Sequence, residues 1–147
     1  MEQTEIIRLL SSHGLRPTQQ RIAVYAYLRS HRTHPSAETV YAALVKQHPT
    51  FSRTTVYNSL HALVKAQLVL ELSPGTEEKH YDGDVSLHGH FCCTGCGGIF
   101  DFPLDPAAVE ALQPAGFTVQ QRDIRFGGLC PACAQAMANE KTVDPKN

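Results

Sequence analysis

Two Cys-x-x-Cys pairs constrain this chain more than any other feature. Cys93 and Cys96 form one, Cys130 and Cys133 form the other, and 33 residues separate Cys96 from Cys130. Each pair is a knuckle that wraps an ion with two thiolates, and two knuckles together close the shell of a structural Zn²⁺. The separation exceeds that of a minimal zinc finger, so the four cysteines are expected to clamp a small subdomain. Just upstream lies His88-Gly89-His90. Residues two apart in an extended strand share a face, so both imidazoles point one way. Borderline divalent metals accept such a pair. Two metal sites are therefore expected, one structural and one that reports a signal. The rival is an enzyme, a dithiol oxidoreductase using Cys92, Cys93 and Cys96. No βαβ pattern surrounds the motif and the second knuckle accounts better for the thiols, so the chain is read as a non-enzyme.

Composition enters through compartment and charge. The chain has 147 residues, enough for two small domains, and 42% are hydrophobic. No apolar run approaches the length of a membrane span. The polar, acidic start Met1-Glu2-Gln3-Thr4-Glu5 does not read as a secretory signal, so a cytoplasmic protein is expected. In that setting five cysteines favour metal over disulfides. The odd one, Cys92, reads as a small buried hydrophobe. Residues 1–70 carry eight basic and three acidic side chains, whereas residues 71–147 carry five basic and eleven acidic ones. A basic half joined to an acidic half suggests that one module meets a polyanion and the other does not.

The first half reads as short helices. Glu2 to His13 has Ile6, Ile7, Leu9 and Leu10 on one stripe, with Gly14 as a stop. Thr18 caps a second helix to about Arg29, with Ile22, Tyr25, Ala26 and Arg29 in helical register. Ser36 caps a third through Lys46, with Val40, Tyr41, Leu44 and Val45 inward. Ser52 caps a fourth, Arg53 to about Lys65, with Val56, Leu60, Leu63 and Val64 inward. Leu68 to Leu72 and Lys79 to Asp82, joined through Pro74-Gly75, form a hairpin. Helix-turn-helix followed by a hairpin is a winged helix. The start of a recognition helix faces base edges in the major groove. Arg53, Thr54, Thr55, Tyr57 and Asn58 are thus candidate DNA contacts, as is Arg16 in the turn before the second helix. An ordinary helical bundle with a solvated face is the bland alternative.

Gly83 to about residue 87 reads as a hinge between an N-terminal domain at residues 1–82 and a C-terminal one at residues 88–147. In the latter, Gly98 to Phe102 reads as a strand. Asp105 caps a helix that opens on Pro106 and runs to about Gln113. Phe117 to Phe126 reads as a long strand, Gly127-Gly128 as a turn, Pro131 to Asn139 as a helix and Lys141 to Asn147 as a frayed tail. A module of about 60 residues is marginal without a staple, which the four cysteines supply.

The motifs Gly14-Leu15-Arg16-Pro17-Thr18-Gln19-Gln20-Arg21, His34-Pro35-Ser36-Ala37, Thr54-Thr55-Val56-Tyr57-Asn58-Ser59-Leu60, His88-Gly89-His90 and Cys93-Thr94-Gly95-Cys96-Gly97, with Cys130 and Cys133, resemble the ferric uptake regulator (Fur) superfamily of bacterial metal-dependent repressors. The resemblance spans nearly the whole chain. It implies an α+β fold: an N-terminal winged helix joined to a small C-terminal α/β dimerisation domain stapled by zinc. It implies a homodimer on a double-stranded DNA operator. It also implies a regulatory site made of His34, Asp82, His88, His90 and Asp101, a nitrogen and oxygen set suited to Fe²⁺ or Mn²⁺.

Iron sensors of the family typically carry glutamate where this chain has Asp82 and Asp101. Two aspartates look like the peroxide-sensing branch, PerR, in which peroxide reacts at bound Fe²⁺ and a histidine ligand is oxidised, by position His34 or His88. An iron- or zinc-responsive uptake repressor remains the alternative within the family. Cys92 fits no part of this pattern. His80 reads as a wing residue or as a ligand of a further site.

Overall fold

The structure, a computed structural model, describes residues 1–75 and 77–142. The chain divides into two compact units, one ending at Val85 and one beginning at Ser86.

The first unit opens with α1 (Gln3–Ser12), of which only Ile6 and Leu10 are buried, a narrower stripe than the sequence suggests. Gly14 takes φ +75°, and the Leu15 N–H donates to the Leu10 carbonyl at 2.9 Å, a C-terminal closure that needs a left-handed residue. The next helices are α2 (Gln19–Ser30), α3 (Ala37–Leu44) and α4 (Arg53–Lys65). Each starts on the expected cap: Thr18, Ser36 and Ser52 accept from the N–H of Arg21, Thr39 and Thr55 at 3.3, 3.2 and 3.1 Å. The core is built from Ile6, Leu10, Val24, Leu28, Val40, Val56, Leu60 and Leu63, all fully buried. Val24 and Leu28 are central, whereas Ile22 and Ala26 only flank them, so the inward face of α2 is turned from the expected one. Helix α3 stops two residues before Lys46. The N–H groups of Gln47 and His48 both donate to the Leu44 carbonyl and turn the chain there.

The wing pairs β1 (Leu70–Leu72) antiparallel with β2 (His80–Asp82), Leu72 facing His80. Leu68 and Val69 are buried ahead of the strand. The other edge of β2 meets the stretch before α3. Ser36 bridges His80, and the Tyr81 N–H donates to the Pro35 carbonyl at 2.9 Å. This pairing was not foreseen from the sequence, and it sets His34 beside Asp82.

The second unit is a three-stranded sheet with β3 (His88–Cys93) at its centre. On one side β4 (Ile99–Pro103) runs antiparallel, with His90 facing Asp101. On the other, β5 (Arg125–Gly128) runs parallel, so the chain must cross over, and it does so through α5 (Pro106–Leu112), capped by Asp105. The Phe102 ring lies over Gly89, so close that any side chain there would displace it. The expected long strand from Phe117 to Phe126 is replaced by the short β5, and Gly127 and Gly128 lie inside it rather than in a turn. Strand pairing is not a local property: β5 pairs with β3 only from Arg125 onward, and Phe117 and Val119 stay exposed. Helix α6 (Pro131–Thr142) runs past Asn139, and the expectation for the tail beyond it lies outside the described residues. No described helix is long and apolar enough to cross a membrane.

Candidate metal centres and reading helix

Strand β3 delivers Cys93 and the turn after it delivers Cys96, while the loop leaving β5 delivers Cys130 and the first turn of α6 delivers Cys133. Their four Sγ atoms all lie within 4.8 Å of one another, with Cys96 and Cys130 at 4.0 Å. A tetrahedral shell with Zn–S bonds near 2.3 Å places sulfurs about 3.8 Å apart, so the four thiols fit Zn²⁺. The backbone N–H groups of Cys130 and Cys96 donate to the Cys93 sulfur at 3.3 and 3.5 Å and pull its pKa down to about 6. Cys133 is pushed up to about 12 by hydrogen bonds to the thiols of Cys130 and Cys93. Four thiols this close cannot all ionise unaided, and a divalent cation is what removes that conflict. Cys92 stands apart from the cluster, buried in β3 between Ile99 and Gly127.

In the second unit β3 also carries the histidine pair. The two Nε2 atoms lie 3.0 Å apart, and Asp101 Oδ1 from β4 is 3.6 Å from that of His88 and 3.4 Å from that of His90. Donor atoms about 3 Å apart match neighbouring ligands around an ion with bonds near 2.1 Å. His88 Nδ1 donates to the Ser86 carbonyl at 2.7 Å, which leaves Nε2 with its lone pair toward Asp101 and His90.

In the first unit His34 Nε2 lies 3.4 Å from Asp82 Oδ2, and both side chains are buried. The Asp84 N–H holds the other carboxylate oxygen at 2.9 Å. His34 has φ +53°, a left-handed conformation unusual for a non-glycine residue. His80 Nδ1 donates to the His34 carbonyl at 2.7 Å. His80 is thus a wing residue that steadies the backbone of His34. No sequence signal pointed to that contact, since it depends on the pairing of β2 with residues 35 and 36.

The exposed face of α4 presents Arg53, Thr54, Tyr57 and Asn58, and Arg16 is exposed ahead of α2. Thr55 is half-buried and its hydroxyl lies 2.8 Å from Ser52 Oγ, so it belongs to the helix cap as much as to the reading face. Arg53 is held by Glu38, Nε at 3.1 to 3.2 Å and Nη2 at 2.9 Å from the carboxylate, and it lies 4.6 Å above the Tyr41 ring. Glu38 was missed in the sequence because it comes from the neighbouring helix.

A profile of the Ferric uptake regulator family matches residues 12–126. The chain is 35% identical over 137 residues to the peroxide operon regulator of Bacillus subtilis, covering 91% of this chain and 94% of that protein. It is 34% identical to the peroxide-responsive repressor PerR of Staphylococcus epidermidis, with 91% of each covered. Among solved structures it superposes on the Campylobacter jejuni peroxide stress regulator with a TM-score of 0.68 and 27% identity, covering 90% of this chain and all of that one, 100%. It also superposes on the Pseudomonas aeruginosa ferric uptake regulator with manganese, with a TM-score of 0.72 and 25% identity over 89% of this chain and 99% of that one. The fold, the clustered thiols and these matches agree: the chain belongs to the ferric uptake regulator family.

Proposed function

We propose that the protein is a homodimeric, metal-dependent repressor that reads duplex DNA through its winged-helix unit, residues 1–82, and releases it on exposure to peroxide. The observation that carries the reading is the donor chemistry: a four-thiol cluster separate from two imidazole–carboxylate sets, one in each unit. The thiols suit a structural Zn²⁺. The pair His34 and Asp82 in the first unit and the trio His88, His90 and Asp101 in the second offer nitrogen and oxygen donors that suit Fe²⁺ or Mn²⁺. Peroxide-responsive relatives and the two aspartates favour peroxide over iron or zinc as the signal.

One ion held by ligands from both units would fix the angle across the hinge at residues 83–87, a hinge closure biased by a ligand. In a twofold dimer that angle sets the spacing of the two recognition helices along the DNA. The exposed Phe117, Phe126, Leu112 and Met137 of the second unit supply apolar surface for the second copy. Turning a mostly open population into a mostly closed one takes about 5.5 kcal/mol of differential affinity. Fe²⁺ held by this ligand set would supply one-electron chemistry with hydrogen peroxide that Mn²⁺ does not readily supply. Loss of a good nitrogen donor at His34 or His88 would then remove the bias, and the repressor would let go of its operator.

The test is anaerobic binding of the zinc-loaded chain to its operator with Fe²⁺ or Mn²⁺, before and after a peroxide pulse. Both forms should bind, with salt-dependent affinity, and only the Fe²⁺ form should lose it. Equal release from both forms, or binding that needs neither metal, would refute the reading.

A further inference from the structure

We propose that Glu38 is a specificity-determining positioning residue, which aims Arg53 at a guanine by occupying the Nε–Nη2 edge of its guanidinium and leaving the Nη1–Nη2 edge for the DNA. The inference rests on the DNA-binding reading above and deepens it.

Arg53 is the first residue of α4, where the positive end of the helix dipole disfavours a cation. Glu38 and Tyr41 sit three residues apart on α3 and so share one face of that helix. Together they hold the guanidinium on two sides. The carboxylate takes Nε and Nη2 at 2.9 to 3.2 Å, and the ring lies beneath the plane at 4.6 Å. An arginine has two edges of paired donors, Nε–Nη2 on its flank and Nη1–Nη2 at its end, and only the second points straight out along the side chain. That edge matches the O6 and N7 acceptors of guanine in the major groove. Glu38 lines a groove with Tyr57 and Asn58, so the clamp lies on the face that carries the other candidate contacts.

Stability does not explain the clamp. The two side chains are 62% and 48% exposed, and exposed ion pairs contribute little to folding. A preorganised fork does explain it. A free arginine must lose rotamer freedom on docking, whereas one already held by an ion pair and a ring has lost most of it beforehand.

The test uses the full chain loaded with Zn²⁺ and Mn²⁺. A randomised duplex library is selected for binding, and affinity is then measured for the selected duplex, for the same duplex with 7-deazaguanine at each guanine in turn, and for a scrambled duplex. The wild type should lose about tenfold at one guanine. Glu38→Ala should abolish that discrimination while binding the scrambled duplex as well as the wild type does. Glu38→Ala should have no further effect on discrimination in an Arg53→Ala background, and an unchanged melting temperature should show that the unit still folds. Three outcomes overturn the clamp alone: a selected duplex indifferent to every guanine substitution, Glu38→Ala with discrimination intact, or Glu38→Ala that binds all duplexes more tightly, which would mean that the pair competes with DNA. A wild type that enriches no sequence at all would overturn the DNA reading and the clamp with it.

Discussion

The two units hold themselves together by different means. Up to Val85, helices α1 to α4 and the wing enclose a core in which Leu10, Val24, Val40, Val56, Leu60 and Leu63 have no solvent exposure. Each such side chain contributes about 1.5–3 kcal/mol. Among the described residues from Ser86 on, the buried apolar ones are Cys92, Cys93, Val109 and Cys130, and two of these are knuckle thiols. Phe100, Phe117 and Phe126, which a self-sufficient module would bury, are exposed. The first unit is built like an independent small domain. The second has, in place of an apolar core, four clustered thiols that fit Zn²⁺, and its exposed apolar surface is what the proposed dimer would cover.

This contrast is broken most severely by removing zinc. Cys96→Ser, or exhaustive chelation, should cost on the order of 10 kcal/mol, since binding energy in such modules is folding energy. Hydrogen exchange should then show β3 to β5 unprotected while α2 and α4 keep their protection. Equal protection of both units without zinc would erase the distinction. Acid should act in the same direction. Protons compete with Zn²⁺ for the four thiolates, and the backbone N–H groups of Cys130 and Cys96 favour the thiolate of Cys93 in that competition. Zinc content should fall with decreasing pH, and the second unit should unfold before the first.

Leu60→Ala is the reciprocal experiment. It leaves a cavity in the first core at a cost of about 2–5 kcal/mol, and it should lower the melting temperature of that unit without altering zinc content. Ser52→Ala removes the cap of α4 and should cost about 1 kcal/mol, seen as faster exchange at Thr55, with the wing and the thiol cluster unchanged.

The sequence carried the features that are local. A serine or threonine cap, a left-handed glycine after a helix and a Cys-x-x-Cys knuckle each announce themselves within a few residues, and Thr18, Ser36, Ser52, Gly14 and the four cysteines all sit where that logic puts them. The features that failed are long-range. Phe117 to Phe126 reads like one long strand, but β3 engages the chain only from the Ile124 carbonyl, which accepts from the His90 N–H at 3.0 Å, and from Arg125 onward. The left-handed backbone of His34 and its support by His80 depend on β2 reaching residues 35 and 36, which no local pattern encodes. Glu38 looks like an ordinary exposed helix residue until α4 places Arg53 against it.

In the proposed mechanism peroxide acts on imidazole rather than on thiol. Peptide mass spectrometry of the Fe²⁺-loaded and Mn²⁺-loaded chains after an anaerobic peroxide pulse tests it directly. The expected result is a gain of one oxygen on the peptide holding His34 or His88 in the Fe²⁺ form, no such gain in the Mn²⁺ form, and loss of DNA binding in proportion to it. Peroxide release that survives in His34→Ala and His88→Ala but disappears in Cys92→Ser would contradict it and make the buried thiol of β3 the sensor.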